Sequence, residues 1–220
     1  MTQDPVIARA LHDPLMSDPD LASVNPANAA LGFVDSAALP VFAVNRETTD
    51  RAREALRLEL LNDGPIPDLP AAEAGSGGKI LGPMTGATEL LAAVGAPPGC
   101  VDLIEENFAY AASLPRVAAV PPRGMVSQAG GVDAPGCRVR ILRYQTAALP
   151  DDVLLFHYTR AVRAGLRAKR FATPGQSIAA FGGDGETMVA HVRMAANGLT
   201  GITLVYRAPS TARIRVADRP

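Results

Sequence analysis

Hydrophobic positions follow two different periods along this chain. Between Glu47 and Leu61, the residues Ala52, Ala55, Leu56, Leu58, Leu60 and Leu61 recur near helical spacing, and Arg51, Arg53, Arg57 and Glu59 take the other positions. This spacing predicts an amphipathic helix that Thr48 or Thr49 caps and that Asn62-Asp63-Gly64-Pro65 ends. Thr85–Val94 predicts a second, short helix, stopped by Gly95-Ala96-Pro97-Pro98. Val101–Leu114 fits either element: Glu105, Glu106 and the following Pro115 suit a helix, while the apolar run and Tyr110 suit a strand.

From Gly124 onward the period is two. Met125–Gln128 and Arg138–Tyr144 read as strands, joined through Gly130-Gly131 and Pro135-Gly136, with clean alternation over Cys137-Arg138-Val139-Arg140-Ile141. Pro150–Ala164 reads as a helix, with Asp151 and Asp152 at its positive start and Gly165 at its end. Leu154, Leu155, Tyr158, Ala161 and Val162 form its expected apolar face. Further strands are expected at about Leu166–Phe171, Ile178–Phe181, Thr187–Met194 and Gly201–Arg207, with hairpin turns at Gly182–Gly185 and Ala196-Asn197-Gly198.

The predicted class is therefore α+β: an antiparallel sheet with one helix packed across a face, preceded by a mostly helical N-terminal region. That region carries Asp4-Pro5, Asp13-Pro14, Asp18-Pro19 and Asn25-Pro26, pairs that suit helix starts. Short helices follow at roughly Pro5–Leu11, Pro19–Val24 and Pro26–Leu31. The expected division is a helical region over 1–63, a Pro/Gly-rich linker over 64–83 and an α+β domain over 84–220, its core at about 100–209.

Composition narrows the core. Hydrophobic residues make up 48%, but aromatics only 5%, and Trp is absent. The interior must be built from Ala, Val, Leu and Ile. No apolar run reaches the length of a membrane-spanning helix. The net charge of −1 hides an asymmetry: residues 1–136 hold 8 basic and 17 acidic residues, and 137–220 hold 13 basic and 5 acidic. Either the C-terminal half offers a basic surface to an anionic partner, or the acidic half lies on it.

Cys100 and Cys137 each follow a Pro-Gly pair. Two cysteines do not suit a tetrahedral metal site, and no CxxC is present. They are a disulfide, which implies an oxidising compartment such as the periplasm, or two buried thiols of a cytoplasmic protein.

No motif specifies a reaction. His157 sits mid-helix with no carboxylate or Cys one turn away and reads as a surface histidine; His12 and His191 are distant in sequence. Ser76-Gly77-Gly78-Lys79 has S-x-x-K spacing without the accompanying S-D-N or K-T-G, and a P-loop would need Gly at 73 and Ser or Thr at 80, which are Glu73 and Ile80. Gly175-Gln176-Ser177-Ile178-Ala179 is an imperfect nucleophile elbow that lacks a parallel strand–turn–helix setting. Adjacent Glu105 and Glu106 diverge and do not make a facing acid/base pair. Arg138, Arg140, Arg193 and Arg207 fall in predicted strands and are the candidate anion-binding residues. The absence of interleaved aromatics argues against nucleic acid, and nothing calls for a metal or cofactor.

Several segments together resemble a family of uncharacterised exported proteins of alphaproteobacteria, many of them lipoproteins. They are Asp13-Pro14-Leu15-Met16-Ser17-Asp18-Pro19-Asp20-Leu21, a cysteine ahead of an aromatic segment ending in Leu114-Pro115, Pro122-Arg123-Gly124, and Gly130-Gly131 before Cys137. After these come Arg138–Thr146, the Phe156-His157-Tyr158-Thr159-Arg160-Ala161 helix and Gly182-Gly183. The resemblance covers most of the chain but rests on structural punctuation. It implies export, to the periplasm or to a lipoprotein anchor facing it, supports the disulfide and carries no activity. The expectation is a non-enzymatic cell-envelope binding or scaffold protein whose partner is an envelope protein or an anionic surface component. A small-ligand-binding module and a small hydrolase using His157 or His191 are the alternatives. The start Met1-Thr2-Gln3-Asp4-Pro5 lacks a signal peptide's basic and apolar stretches, so export is expected of a mature form or from an upstream start, with the cytoplasm as the alternative.

Overall fold

The computed structural model describes residues 44–73, 79–173 and 175–210. In chain order the elements are α1 (Arg46–Asn62), α2 (Ala87–Ala93), a 3-10 turn (Pro98–Leu103), β1 (Glu105–Glu106), α3 (Ala109–Ala112) and a 3-10 turn (Arg116–Ala118). Next come β2 (Met125–Ala134), β3 (Cys137–Thr146), α4 (Pro150–Arg163), β4 (Arg167–Phe171), β5 (Gln176–Phe181), β6 (Thr187–Met194) and β7 (Thr200–Arg207). The strands form one seven-stranded sheet in the order β1-β2-β3-β7-β6-β5-β4, antiparallel throughout. The α+β class and its antiparallel sheet are those the alternation predicts. The expected helices before residue 44 lie outside the described residues.

Local chemistry explains the element ends. Asn45 caps α1: its Oδ1 accepts from the Thr48 N–H at 2.9 Å, and the Thr48 hydroxyl accepts from the Asn45 N–H at 3.0 Å. Thr48 therefore completes the cap from inside the helix. Pro150 opens α4 with Asp151 and Asp152 in its first turn, and Gly165 follows it at φ +80°.

Gly130 and Gly131 lie inside β2 rather than in a turn; the reversal comes at Pro135-Gly136, where Gly136 has φ +77°. Gly131 is required by close approach, since a Cβ there would sit 2.6 Å from the Val139 carbonyl oxygen. Val101–Leu114 is neither one helix nor one strand. It breaks into a 3-10 turn, two residues paired to Gly131 and Gly130 at the sheet edge, and one helical turn started by Asn107 Oδ1 accepting from the Ala109 N–H at 2.8 Å.

Strand alternation sorts the core into two layers. Ala129, Leu142, Tyr144, Met188, Ile202 and Leu204 face α1 and α4, packing with Leu56, Leu60, Val153, Leu154 and Phe156. Val139, Ile141, Ala179, Val189 and Val205 face the other way, onto Leu81, Leu90, Leu91, Val94 and Cys100. Helix α1 thus contributes Ala52, Leu56 and Leu60 to the sheet's own core. The described part of the 64–83 connection is laid along the body: Ile66 and Leu69 pack on the first layer, Leu81 is buried in the second, and Glu73 bridges to Phe171 of β4.

The face of α4 differs from the expected one. Val153, Leu154, Phe156, His157, Thr159, Arg160 and Ala161 are buried, while Val162 is 41% exposed. Two of the three buried polar residues, His157 and Arg160, find a side-chain partner inside. His157 meets Tyr144, and Arg160 meets Glu59 and Asp63 of the α1 end.

Cys100 and Cys137 form a disulfide across a separation of 37 residues. It fastens the Pro98–Leu103 turn, and with it the second layer, to the first residue of β3. Closing a loop of 37 residues restricts the unfolded chain by about 3–4 kcal/mol on the entropic account. Cys100→Ser/Cys137→Ser is expected to lose about that much stability in urea denaturation, and thiol titration of the unreduced, unfolded wild type should find no free thiol. Equal stability of the two proteins would show that the bridge does not stabilise the fold.

Candidate functional site

The strand register separates the four candidate arginines. Arg138 and Arg140 alternate with Val139 and Ile141 of β3, so they project from the helix-covered face. Arg193 and Arg207 share the parity of Val189 and Val205 and project from the opposite face. Arg140 is held in place: its guanidinium donates to both Asp133 carboxylate oxygens at 2.8 and 3.1 Å, to the Val132 carbonyl at 3.2 Å, and lies 4.8 Å from the Tyr110 ring centroid. Arg207 donates to the Gly95 carbonyl and ties α2 to the sheet. Arg193 lies against Gly201, where a Cβ would come within 3.2 Å of its guanidinium. The structure brings Arg138 and Arg140 together and does not bring Arg193 or Arg207 to them.

Arg138 lines a cleft of about 1030 Å³ at the C-terminal end of α4. One wall is Pro115 to Val117, another is the turn Gly182 to Glu186, and Arg138 and Tyr206 line the cleft where β3 and β7 end. A smaller cavity beside it adds Ser113, Leu114 and Arg140 and shares Arg138 and Tyr206. Arg138 donates to the Pro209 carbonyl. The Tyr206 hydroxyl donates to Glu186 Oε1 at 2.8 Å. Burial, then the bond to Glu186, pushes the Tyr206 pKa up, so the phenol keeps its proton and acts as the donor.

Of the other charged groups of the cleft, Arg116, Arg160 and Asp63 are engaged with one another. Arg160, 6% exposed at its side chain, binds Asp63 at 2.6 Å and also Glu59. Arg116 binds the other oxygen of Asp63 at 2.9 Å. Arg163 donates to the carbonyls of Leu60, near the end of α1, and of Gly64 and Pro65 just beyond it, each at 2.9 Å. These contacts fasten α1 to α4 and shape one side of the cleft.

The histidines lie elsewhere. His157 is fully buried, not on the helix surface as its sequence neighbours suggest, and its Nε2 is 2.6 Å from Tyr144 Oη. Burial and then the nearby Arg160 charge lower its pKa to about 3, and burial raises that of Tyr144, so the bond joins two neutral groups. His191 is 5% exposed, and neither ring nitrogen has a hydrogen-bond partner among the described residues. Its pKa is lowered by burial and then by Arg193. Neither histidine lines the cleft. A hydrolase would need one of them in a solvent-reached pocket beside an acid or nucleophile.

Register also assembles a row that the separate segments do not reveal. Gln128, Arg143, Thr203, His191 and Ser177 pair successively across β2, β3, β7, β6 and β5, all on the face opposite α4 and all buried. Arg143 donates to Gln128 Oε1 at 2.7 Å and to the Thr85 carbonyl at 2.8 Å, joining the start of the α2 segment to the sheet. Gly175 closes over His191, leaving 2.5 Å between a would-be Cβ and Nε2. Ser177, centre of the imperfect elbow, is thus one residue of an antiparallel strand in this row. Lys79 pairs with Glu89 at 3.3 Å, and Ser76 to Gly78 lie outside the described residues. Glu106 accepts from Gln128 Nε2 at 3.2 Å on the edge strand.

Among the described residues no group of three or more His, Cys, Asp or Glu side chains is placed to hold a metal ion, and no helix is long and apolar enough to cross a membrane. Comparison of the chain with protein-family models, with curated proteins and with solved structures finds no match.

The His157 contact makes stability depend on pH. The folded state holds the ring neutral down to about 3, whereas the unfolded chain binds a proton below the ordinary 6.5. The contribution is complete above pH 6.5 and is lost as pH falls toward 3, at about 1.4 kcal/mol per pH unit. Tyr144→Phe/His157→Leu, which removes both polar partners, is expected to flatten this part of the dependence when urea midpoints are compared from pH 7.5 to 4.5. Parallel curves for the two proteins would contradict it.

Proposed function

We propose that this protein is a non-catalytic binding protein of the cell envelope whose ligand seats in the cleft between the C-terminal end of α4 and the sheet. The observation that carries the reading is the cleft itself. Its volume of about 1030 Å³ suits a small organic molecule, and its lining combines apolar positions such as Pro115, Val117 and Leu166 with charged side chains and Tyr206. The disulfide supports an oxidising compartment, and the resemblance to exported proteins points to the periplasm or its membrane surface. Among the four candidate arginines, Arg138 is the one that lines this cleft.

The ligand is an envelope component or a solute that crosses the envelope. A thermal-shift screen of envelope extracts and small metabolites is expected to yield a molecule that raises Tm. Ala164→Trp, which fills the cleft from the end of α4, should abolish the shift in a variant whose circular dichroism shows the wild-type fold. A ligand that binds the Trp variant undiminished would place the site elsewhere. For the compartment, the natively expressed protein should fractionate with the periplasm or its membranes. Recovery from the cytoplasm with both thiols reduced would overturn the envelope assignment.

A further inference from the structure

Most charges lining the cleft are engaged with neighbours, and Asp184, whose carbonyl accepts from the Ser210 hydroxyl, adds a second carboxylate beside Glu186. Asp63 and Glu59 together answer Arg116 and Arg160. Arg163 is turned onto three backbone carbonyls. The next two groups, Arg138 and Glu186, stand on either side of Tyr206. Glu186 accepts its hydroxyl through Oε1, and the Arg138 charge also acts on the phenol. Each has capacity left. A guanidinium carries five N–H donors, and among the described residues Arg138 gives one bond, to the Pro209 carbonyl. A carboxylate offers about four acceptor positions, and among the described residues the side chain of Glu186 accepts one bond, from Tyr206.

The apolar part of the walls around this opposed pair is Pro115, Val117, Leu166 and Pro209. A purely anionic ligand would meet Glu186, and a purely cationic one would meet Arg138. A ligand carrying both charges on an apolar body satisfies both.

Resting on the binding role proposed above, we infer that the cleft binds a small zwitterion, a carboxylate and an ammonium group joined by an apolar body, as in an amino acid or a short peptide. Arg138 takes the carboxylate with two parallel N–H bonds. Glu186 takes the ammonium, held in position by Tyr206. The apolar walls take the side chain. Closing the two charges against partners of opposite sign leaves neither buried alone, which favours the zwitterion over analogues lacking one charge.

The test is calorimetric titration of the full chain with leucine and alanyl-leucine, beside leucine methyl ester, which lacks the carboxylate, and N-acetyl-leucine, which lacks the ammonium. At least one zwitterion is expected to bind ten-fold or more tightly than either analogue. Glu186→Gln should reduce zwitterion affinity while leaving N-acetyl-leucine unchanged. Arg138→Gln should do the same while leaving the methyl ester unchanged. Because both substitutions are at the cleft surface, circular dichroism and melting of each variant should match the wild type, and a variant that misfolds is replaced by Glu186→Ala or Arg138→Met.

Equal binding of the esters and amides, or binding of the uncharged or singly charged analogues alone, overturns the zwitterion inference while leaving the cleft a binding site. If none of the four probes binds, the inference also fails. If in addition no molecule from the broader screen is sensitive to Ala164→Trp, the binding role itself fails.

Discussion

The central strands β3, β7 and β6 place apolar side chains on both faces of the sheet, and the rest of the chain is arranged around that demand. Leu142, Ile202, Leu204 and Met188 need cover on one side; Val139, Ile141, Val205 and Val189 need it on the other. Helices α4 and α1 supply the first cover, and α2 with the Pro98–Leu103 turn supplies the second. Burial of each such side chain contributes on the order of 1.5–3 kcal/mol, so neither layer is dispensable. The second layer is short and rich in turns. The Cys100–Cys137 disulfide, the Arg207 bond to Gly95 and the Arg143 bond to Thr85 fasten it at three points.

The charge asymmetry of the chain finds part of its use in joining these layers. Glu59 and Asp63, from the acidic half, hold Arg160 from the basic half, and Glu73 holds Lys169. Exposed pairs such as Lys169–Glu73 contribute little on their own. Arg160 is different, because its side chain is almost fully covered and leaving it without carboxylates would strand a buried charge. The same contacts that fix α1 against α4 form a wall of the cleft, so the site inherits its shape from a structural tie. Its polar chemistry then comes from strand ends, Arg138 on β3 and Tyr206 on β7, and from the turn that presents Glu186.

His157 and His191 illustrate how the fold assigns roles to identical side chains. One is neutral and bonded to Tyr144 inside the helix-facing core; the other lies in a polar row on the far side of the sheet without a bonded partner among the described residues. Both have their pKa lowered mainly by burial, and neither reaches the cleft. The polar row itself links five strands, and Arg143 gives it a fixed attachment to the Thr85 carbonyl.

Where periodicity and punctuation are strong, the chain dictates its own elements. Cys137–Ile141 carries clean alternation and folds within β3; the strand expected over Thr187–Met194 forms with those bounds; the helix expected over Glu47–Leu61 forms over Arg46–Asn62; Gly165 ends α4 in the left-handed region. The cysteine pairing, held open between a disulfide and two thiols, is a disulfide. Weak local signals left Val101–Leu114 undecided, because its short pieces take their form from the edge of β2 and from the Asn107 turn.

The sequence alone determined the α+β class, the antiparallel sheet and the helix that crosses it, since these follow from hydrophobic period and turn chemistry within short windows. Only the tertiary structure decided which way each arginine points and what it meets. Register sends Arg138 and Arg193 to opposite faces, and contacts about a hundred residues apart in sequence, such as Arg160 with Asp63, draw polar side chains inward. A site made from the ends of several strands depends on those long-range pairings, which no local pattern encodes.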